Sequence, residues 1–106
     1  MNNRAADSML GLARRAGAAE SGLFLTLEAI RGGKALLVIL AEDAKKNTVK
    51  QVTDKCRSYH VPLRVYGTAE GLGHALGQEE RSCLAITKSG FADKLSDLLE
   101  ERNPVG

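Results

Sequence analysis

Apolar positions along the chain alternate between helical spacing and short continuous runs. A first helix is predicted by apolar residues at helical spacing, which are Met9, Leu10, Leu12 and Ala13. Asp7 or Ser8 can cap the start of this helix, and Gly17 can end it. After a short extended piece, "AAE", a second helix is predicted from Ser21, as its cap, to about Arg31.

The middle of the chain contains the strongest strand signal. The run "ALLVIL", Ala35 to Leu40, is typical of a strand covered on both faces, and "PLRVY" and "CLAIT" predict two further strands. Three helices are predicted between and after them: a basic amphipathic helix, a short one over about 68–76 and a last one over about 90–101. Strands that alternate with helices predict an α/β fold, a three-layer α/β/α sandwich with a small, mostly parallel four-stranded mixed sheet.

The length of 106 residues predicts a single domain over 1–106, with a frayed tail from about residue 102. Cys56 and Cys83 lack metal-ligand spacing, so we expect buried free thiols and no metal site. The longest apolar run is too short to cross a bilayer, and no leader pattern follows the start. We therefore expect a soluble, cytoplasmic protein with no membrane partner.

Charge is distributed unevenly. Residues 1–66 contain eleven Lys and Arg against six Asp and Glu, a net charge of +5, whereas residues 67–106 contain four against seven, a net charge of −3. The first part is the better candidate for nucleic-acid contact. Only four aromatic residues are present, so an RNA partner would be recognised by shape and backbone rather than by stacking of successive bases.

The segment "GLGHALG", Gly71 to Gly77, has glycines like those of a dinucleotide-binding loop. Such a loop follows the first strand and opens a long helix, whereas these glycines come late and Gly77 interrupts or ends the helix. His60 and His74 have no nucleophile or carboxylate at catalytic spacing, and adjacent carboxylates such as Glu79 and Glu80 more often cap helices or face solvent. We expect no catalytic residues and no cofactor, and keep nucleotide binding as a minor alternative.

Taken in order, "SGLFLTLEAIRGGKALLVILAEDA", "VPLRVYGTAEGLGHALG" and "CLAIT" resemble the ribosomal protein L-seven-Ae (L7Ae) family. The segments "MLGLARRAGAAESG", "AEDAKKNTVKQVTDKC" and "TKSGFADKL" are similar to its bacterial YlxQ-type members. The resemblance covers about residues 8–100. It implies a non-enzymatic domain that binds kink-turn RNA, a sharply bent duplex, through the start of the second helix and the loop before the last strand.

This resemblance predicts structured RNA, including ribosomal RNA, as the partner, and no DNA. Gly22 would let the RNA backbone approach unpaired N–H groups at the helix start, and Arg81 would meet a phosphate. The predicted RNA-binding residues are Arg14, Arg15, Ser21, Gly22, Leu23, Phe24, Lys34 and Arg81. Lys45, Lys46 and Lys50 on the basic helix are a further RNA-facing candidate, or simply a solvated face.

The chain departs from the family at the second helix. Tight kink-turn binders read G-x-N-E-x-x-K there, whereas Phe24, Leu25 and Glu28 occupy the Asn, Glu and Lys positions. Helical spacing turns these three side chains outward, with Leu23, Leu27 and Ile30 inward. Leu25 cannot hydrogen-bond a guanine, and Glu28 repels phosphate. Two alternatives stay open: Phe24 stacks on a base, or Phe24 and Leu25 form a protein interface.

Overall fold

A computed structural model of the protein describes residues 3–99. The elements follow the order α1 (Arg4–Arg15), β1 (Ala19–Ser21), α2 (Leu23–Arg31), β2 (Leu37–Leu40), α3 (Lys46–Tyr59), β3 (Leu63–Val65), α4 (Ala69–Leu76), β4 (Cys83–Ile86) and α5 (Ser89–Leu98). The four-stranded sheet has the order β1-β4-β2-β3. None of the five helices in the described range is long and apolar enough to span a membrane. The predicted tail lies outside the described residues.

Two apolar layers cover the two faces of the sheet. Helices α1, α4 and α5 cover one face, where Leu10, Leu72 and Leu95 pack in one cluster with Leu37 and Ile39 of β2. Helices α2 and α3 cover the other face, where a second cluster contains Ile30, Val38, Leu40, Val52 and Cys56. Every residue of β2 and β4 is buried, because both strands are central and covered on both faces. The predicted three-layer α/β/α sandwich is confirmed.

The predicted direction of the sheet was wrong in one respect. Among the described strands only β2 and β3 pair in parallel, whereas β4 is antiparallel to both β1 and β2. The cause is the segment between β3 and β4, which leaves and returns to the same edge of the sheet. The N–H of Glu42, after β2, donates to the carbonyl oxygen of Gly67, and the N–H of Ala41 donates to that of Ser82. The chain therefore enters β4, on the far side of β2, at the same edge of the sheet where it left β3, and β4 must run in the direction opposite to β3.

Side-chain caps fix where helices α1 and α4 begin, and a glycine fixes where α4 ends. The side chain of Asn3 accepts a hydrogen bond from the Ala6 N–H, so α1 begins at Arg4 rather than after Asp7 or Ser8. Thr68 caps α4 by accepting from the Gly71 N–H. Gly77 ends α4 in the left-handed conformation, with φ of 71°. The predicted end of the short helix is confirmed.

Candidate functional site

One edge of the sheet brings together the parts of the chain that the RNA hypothesis singled out. Strands β1 and β2 end at this edge and β4 begins there, which follows from their antiparallel pairing. The N–H of Gly22 donates to the carbonyl oxygen of Cys83 at 2.9 Å, which ties the start of α2 to the start of β4. The edge is called the site edge below.

Helix α2 begins at the site edge without a side-chain cap. Gly22 is its N-cap residue, with φ of 94° and ψ of 160°, a conformation that only glycine adopts readily. Among residues 3–99 no side chain accepts a hydrogen bond from the first turn of α2, so the helix start presents backbone N–H groups and partial positive charge. The prediction that Ser21 caps α2 was wrong, because its hydroxyl bonds elsewhere. An uncapped helix start of this kind suits a phosphate.

The segment 77–82, called the return loop below, lies beside the start of α2. Its backbone folds back along α4: the Gln78 N–H donates to the carbonyl oxygen of Gly73, and the Arg81 N–H donates to that of Ala69. The loop packs so closely on the helix that a Cβ at Gly73 would overlap the backbone of Glu79 and Glu80. In "GLGHALG", Gly73 therefore allows the close backbone contact and Gly77 ends α4. The segment is not a glycine-rich loop that precedes a helix, as in a dinucleotide-binding site.

A side-chain network joins the return loop to the end of β1. The Ser21 hydroxyl donates to Gln78 Oε1 at 2.7 Å and accepts from Arg81 Nε at 3.2 Å. Arg81 Nη1 donates to the carbonyl oxygens of Glu79 and Glu80, at 3.3 and 3.0 Å. Arg81 also passes over the N-cap, since a Cβ at Gly22 would lie 3.9 Å from its Cδ. Ser21, Gly22 and Arg81 therefore form one surface.

The outer side of α2 is apolar next to this surface. Phe24 is 70% exposed and Leu25 is 44% exposed, as the helical spacing predicted. Glu28 is also exposed and accepts a hydrogen bond from Arg31, one turn away. Leu23, predicted as an RNA contact, is half-buried against the core. The exposed face carries an aromatic ring but lacks the lysine of the family pattern.

The remaining predicted RNA-binding residues lie away from the start of α2. Lys34 follows the other end of α2, about 13 Å along the helix axis from Gly22 for a nine-residue helix. Arg14 and Arg15 end α1, where the carbonyl oxygen of Ala16 accepts from Lys88, a residue that follows β4. That is the edge of the sheet where β4 ends, opposite the site edge. The structure brings Ser21, Gly22, Phe24 and Arg81 together but not these three cations.

Other charges line the site edge on the side of α3. Lys45 is the N-cap of α3 and Lys46 its first residue, and both are exposed. Between α3 and the return loop lies an open depression of about 330 Å³ whose lining includes Asp43, Lys45 and Glu80. Its charges are therefore mixed. Lys50 pairs with Asp54 across 3.1 Å on the exposed face of α3, an arrangement of little energetic weight.

The two cysteines lack the features of reactive thiols. Cys56 and Cys83 are free and buried, as predicted, and burial raises the pKa of Cys56 to about 11 and also raises that of Cys83. A thiol with a raised pKa is a poor nucleophile and a poor metal ligand. Within residues 3–99, no group of three or more His, Cys, Asp or Glu side chains is placed to hold a metal ion.

Sequence reasoning missed two residues of the site. Gln78, which accepts a hydrogen bond from Ser21, is absent from the RNA-binding residues that the sequence predicts. Gly73 belongs to the glycine pattern "GLGHALG", but that pattern does not predict its contact with the return loop. A glycine inside a short helix was the available signal, because glycine disfavours helices unless backbone packs closely there. Gln78 carried no comparable signal.

Comparison with known proteins places this geometry in a family. Residues 4–96 match the model of the ribosomal protein L7Ae/L30e/S12e/Gadd45 family. The chain is 47% identical over 92 residues to RNA-binding protein YlxQ of Bacillus subtilis, covering 87% of this chain and 92% of the relative. It is 39% identical over 100 residues to RNA-binding protein YlxQ of Enterococcus faecium, covering 93% and 95%.

Two solved structures share the fold. A Bacillus halodurans C protein described as having unknown function is 40% identical, with a TM-score of 0.86 over 91% of this chain and 97% of that one. The Giardia lamblia 15.5kD RNA binding protein is 23% identical, with a TM-score of 0.77 over 89% and 83%, a likeness of fold alone. The matched range and the identities establish that the chain belongs to the ribosomal protein L7Ae/L30e/S12e/Gadd45 family.

Proposed function

We propose that the protein is a non-enzymatic RNA-binding protein that binds bent, structured RNA of the kink-turn kind at the site edge. The observation that carries the proposal is the uncapped start of α2 beside the return loop, with Gly22 and Arg81 on one surface. Family membership and two bacterial relatives named as RNA-binding proteins support it.

Each part of the surface has a distinct role in this proposal. The free N–H groups after Gly22 bind a phosphate, and the absence of a Cβ there lets the RNA backbone approach. The ring of Phe24 contacts an unstacked base, which a bent RNA exposes and a straight duplex does not. Lys45 and Lys46 add long-range attraction at the same edge, while Glu28, Glu79 and Glu80 reduce affinity. Structured RNA of the kink-turn kind, ribosomal RNA included, is the proposed class of partner, and the protein acts as an accessory protein near the ribosome in the cytoplasm.

A titration with two RNAs of equal length tests the proposal. A fluorescently labelled kink-turn RNA and a straight duplex are each titrated at several salt concentrations. We expect tighter binding of the kink-turn RNA at every salt concentration, because only the bent RNA meets both α2 and the return loop. Equal affinity for the two RNAs, or no binding at low salt, would contradict recognition of bent RNA.

A second candidate function is a protein-protein interaction module on the same fold. The exposure of Phe24 and Leu25 favours it, since adjacent exposed apolar residues often mark a protein contact. Phe24→Lys separates the two functions. Loss of RNA affinity with unchanged folding favours the RNA role of Phe24, whereas loss of a copurifying protein with unchanged RNA affinity favours the interaction module.

A further inference from the structure

The resemblance predicts Arg81 as a phosphate ligand, but most of the hydrogen-bonding capacity of its guanidinium group is used within the protein. An arginine side chain has five N–H donors. The Nε donor bonds Ser21, and the Nη1 donors bond the carbonyl oxygens of Glu79 and Glu80. The Nη2 group has no hydrogen-bond partner within residues 3–99. Three acceptors from two segments of the chain therefore converge on one guanidinium group.

These bonds fix the part of the return loop that its ends do not hold. Backbone bonds hold the loop at Gln78 and at Arg81. Between them, Glu79 and Glu80 are exposed, and their carbonyl oxygens are bonded by Arg81. The bond to Ser21 then joins this part of the loop to the residue before the N-cap of α2. Ser21 also bonds Gln78 at the beginning of the loop, and the Gly22 N–H bonds the carbonyl oxygen of Cys83 after its end. Arg81 adds the side-chain link between the middle of the loop and the start of α2.

We propose that Arg81 is a positioning residue that clamps the return loop against the start of α2 in the RNA-binding shape, rather than a residue that contributes mainly charge. This inference rests on the proposed function of the site edge. It predicts that lysine cannot replace Arg81. A lysine keeps the positive charge, but its single ammonium lacks the planar fork that reaches Ser21 and two loop carbonyls together.

The test compares wild type, Arg81→Lys and Arg81→Ala by titration with the labelled kink-turn RNA at several salt concentrations. Arg57→Ala, which removes a positive charge from the last turn of α3, is the matched control. We expect both Arg81 variants to bind the RNA about tenfold more weakly than wild type, with affinities within about twofold of each other. The dependence of affinity on salt concentration should be the same for Arg81→Lys as for wild type. Arg57→Ala stays within about twofold of wild type. Near wild-type affinity of Arg81→Lys, with a shallower salt slope for Arg81→Ala, would overturn the inference.

If the wild type does not prefer bent RNA, the proposed function is contradicted, but the clamp by Arg81 is still testable. Amide hydrogen exchange in the absence of RNA tests the clamp by itself. The amides of Gln78 and Arg81 are both hydrogen-bonded to α4. We expect both amides to exchange faster in Arg81→Lys and Arg81→Ala than in wild type, and also in Ser21→Ala, which removes the acceptor of Nε. Unchanged exchange at both positions in all three variants would overturn the clamp.

Discussion

The backbone of Gly73 in α4 packs directly against the carbonyl group of Glu79 in the return loop, so that no side chain fits between them. Gly73→Ala must therefore displace the loop or the helix. We expect a loss of about 1–3 kcal/mol in the free energy of unfolding, measured by urea denaturation, together with weaker RNA binding.

Gly90→Ala is the matched control for Gly73→Ala. Gly90 also lies in a helix, but a Cβ there meets nothing within 4 Å. This change should be neutral or stabilise the protein by up to about 1 kcal/mol, since alanine favours helices over glycine. Equal stability of the two variants would show that the loop yields freely and that the close contact has no energetic importance.

The sequence predicted the layers of this fold better than its site. Apolar periodicity predicted strand β2 and the inward and outward faces of α2, because buried positions in these elements require apolar residues. Apolar periodicity could not predict the direction of β4, because this direction depends on backbone contacts between the return loop and α4. The separation of Lys34 from Gly22, in contrast, followed from the predicted helix, because a helix from Ser21 to about Arg31 puts these two residues at its opposite ends.

Replacing Phe24 should weaken RNA binding without destabilising the protein. Its ring is 70% exposed, so Phe24→Ala should change the free energy of unfolding by no more than about 0.5 kcal/mol. RNA affinity should fall by about tenfold, because stacking on a base contributes about 1–3 kcal/mol. Fluorescence anisotropy with the labelled kink-turn RNA measures the loss.

Tyr59 offers the control for Phe24→Ala. It is an aromatic residue, 46% exposed, at the end of α3 and away from the site edge. Tyr59→Ala should leave RNA affinity unchanged. If Phe24→Ala bound RNA as tightly as Tyr59→Ala, the role of Phe24 in RNA binding would be excluded and the protein-interaction module favoured.

Glu28 occupies the position where the family pattern has lysine, and it is exposed. Glu28→Lys should raise RNA affinity several-fold and steepen the salt slope by about one, because a phosphate repulsion becomes an attraction. Asp93→Lys makes the same change of charge on α5, on the other face of the sheet. An equal gain in both variants would mean that net charge, not position, sets the affinity.

The raised pKa of Cys56 predicts how stability depends on alkaline pH. Burial raises this pKa from 9.0 to about 11, so the folded state favours the neutral thiol. The resulting stabilisation is fully present below pH 9 and is lost as pH rises from 9 to 11. Unfolding followed by denaturant across this range should show a steeper loss in wild type than in Cys56→Ala. Parallel curves would show that ionisation of Cys56 is not linked to unfolding.

Amide chemical-shift mapping tests the central claim most directly, because it locates the bound RNA on the protein. Uniformly labelled protein is titrated with the kink-turn RNA, and the straight duplex serves as the control. We predict that the largest shifts fall at residues 22–25 and 77–82, and that the straight duplex produces much smaller ones. Shifts confined to the exposed face of α3, or to the edge that contains Arg14, Arg15 and Lys34, would contradict the assignment of the RNA site.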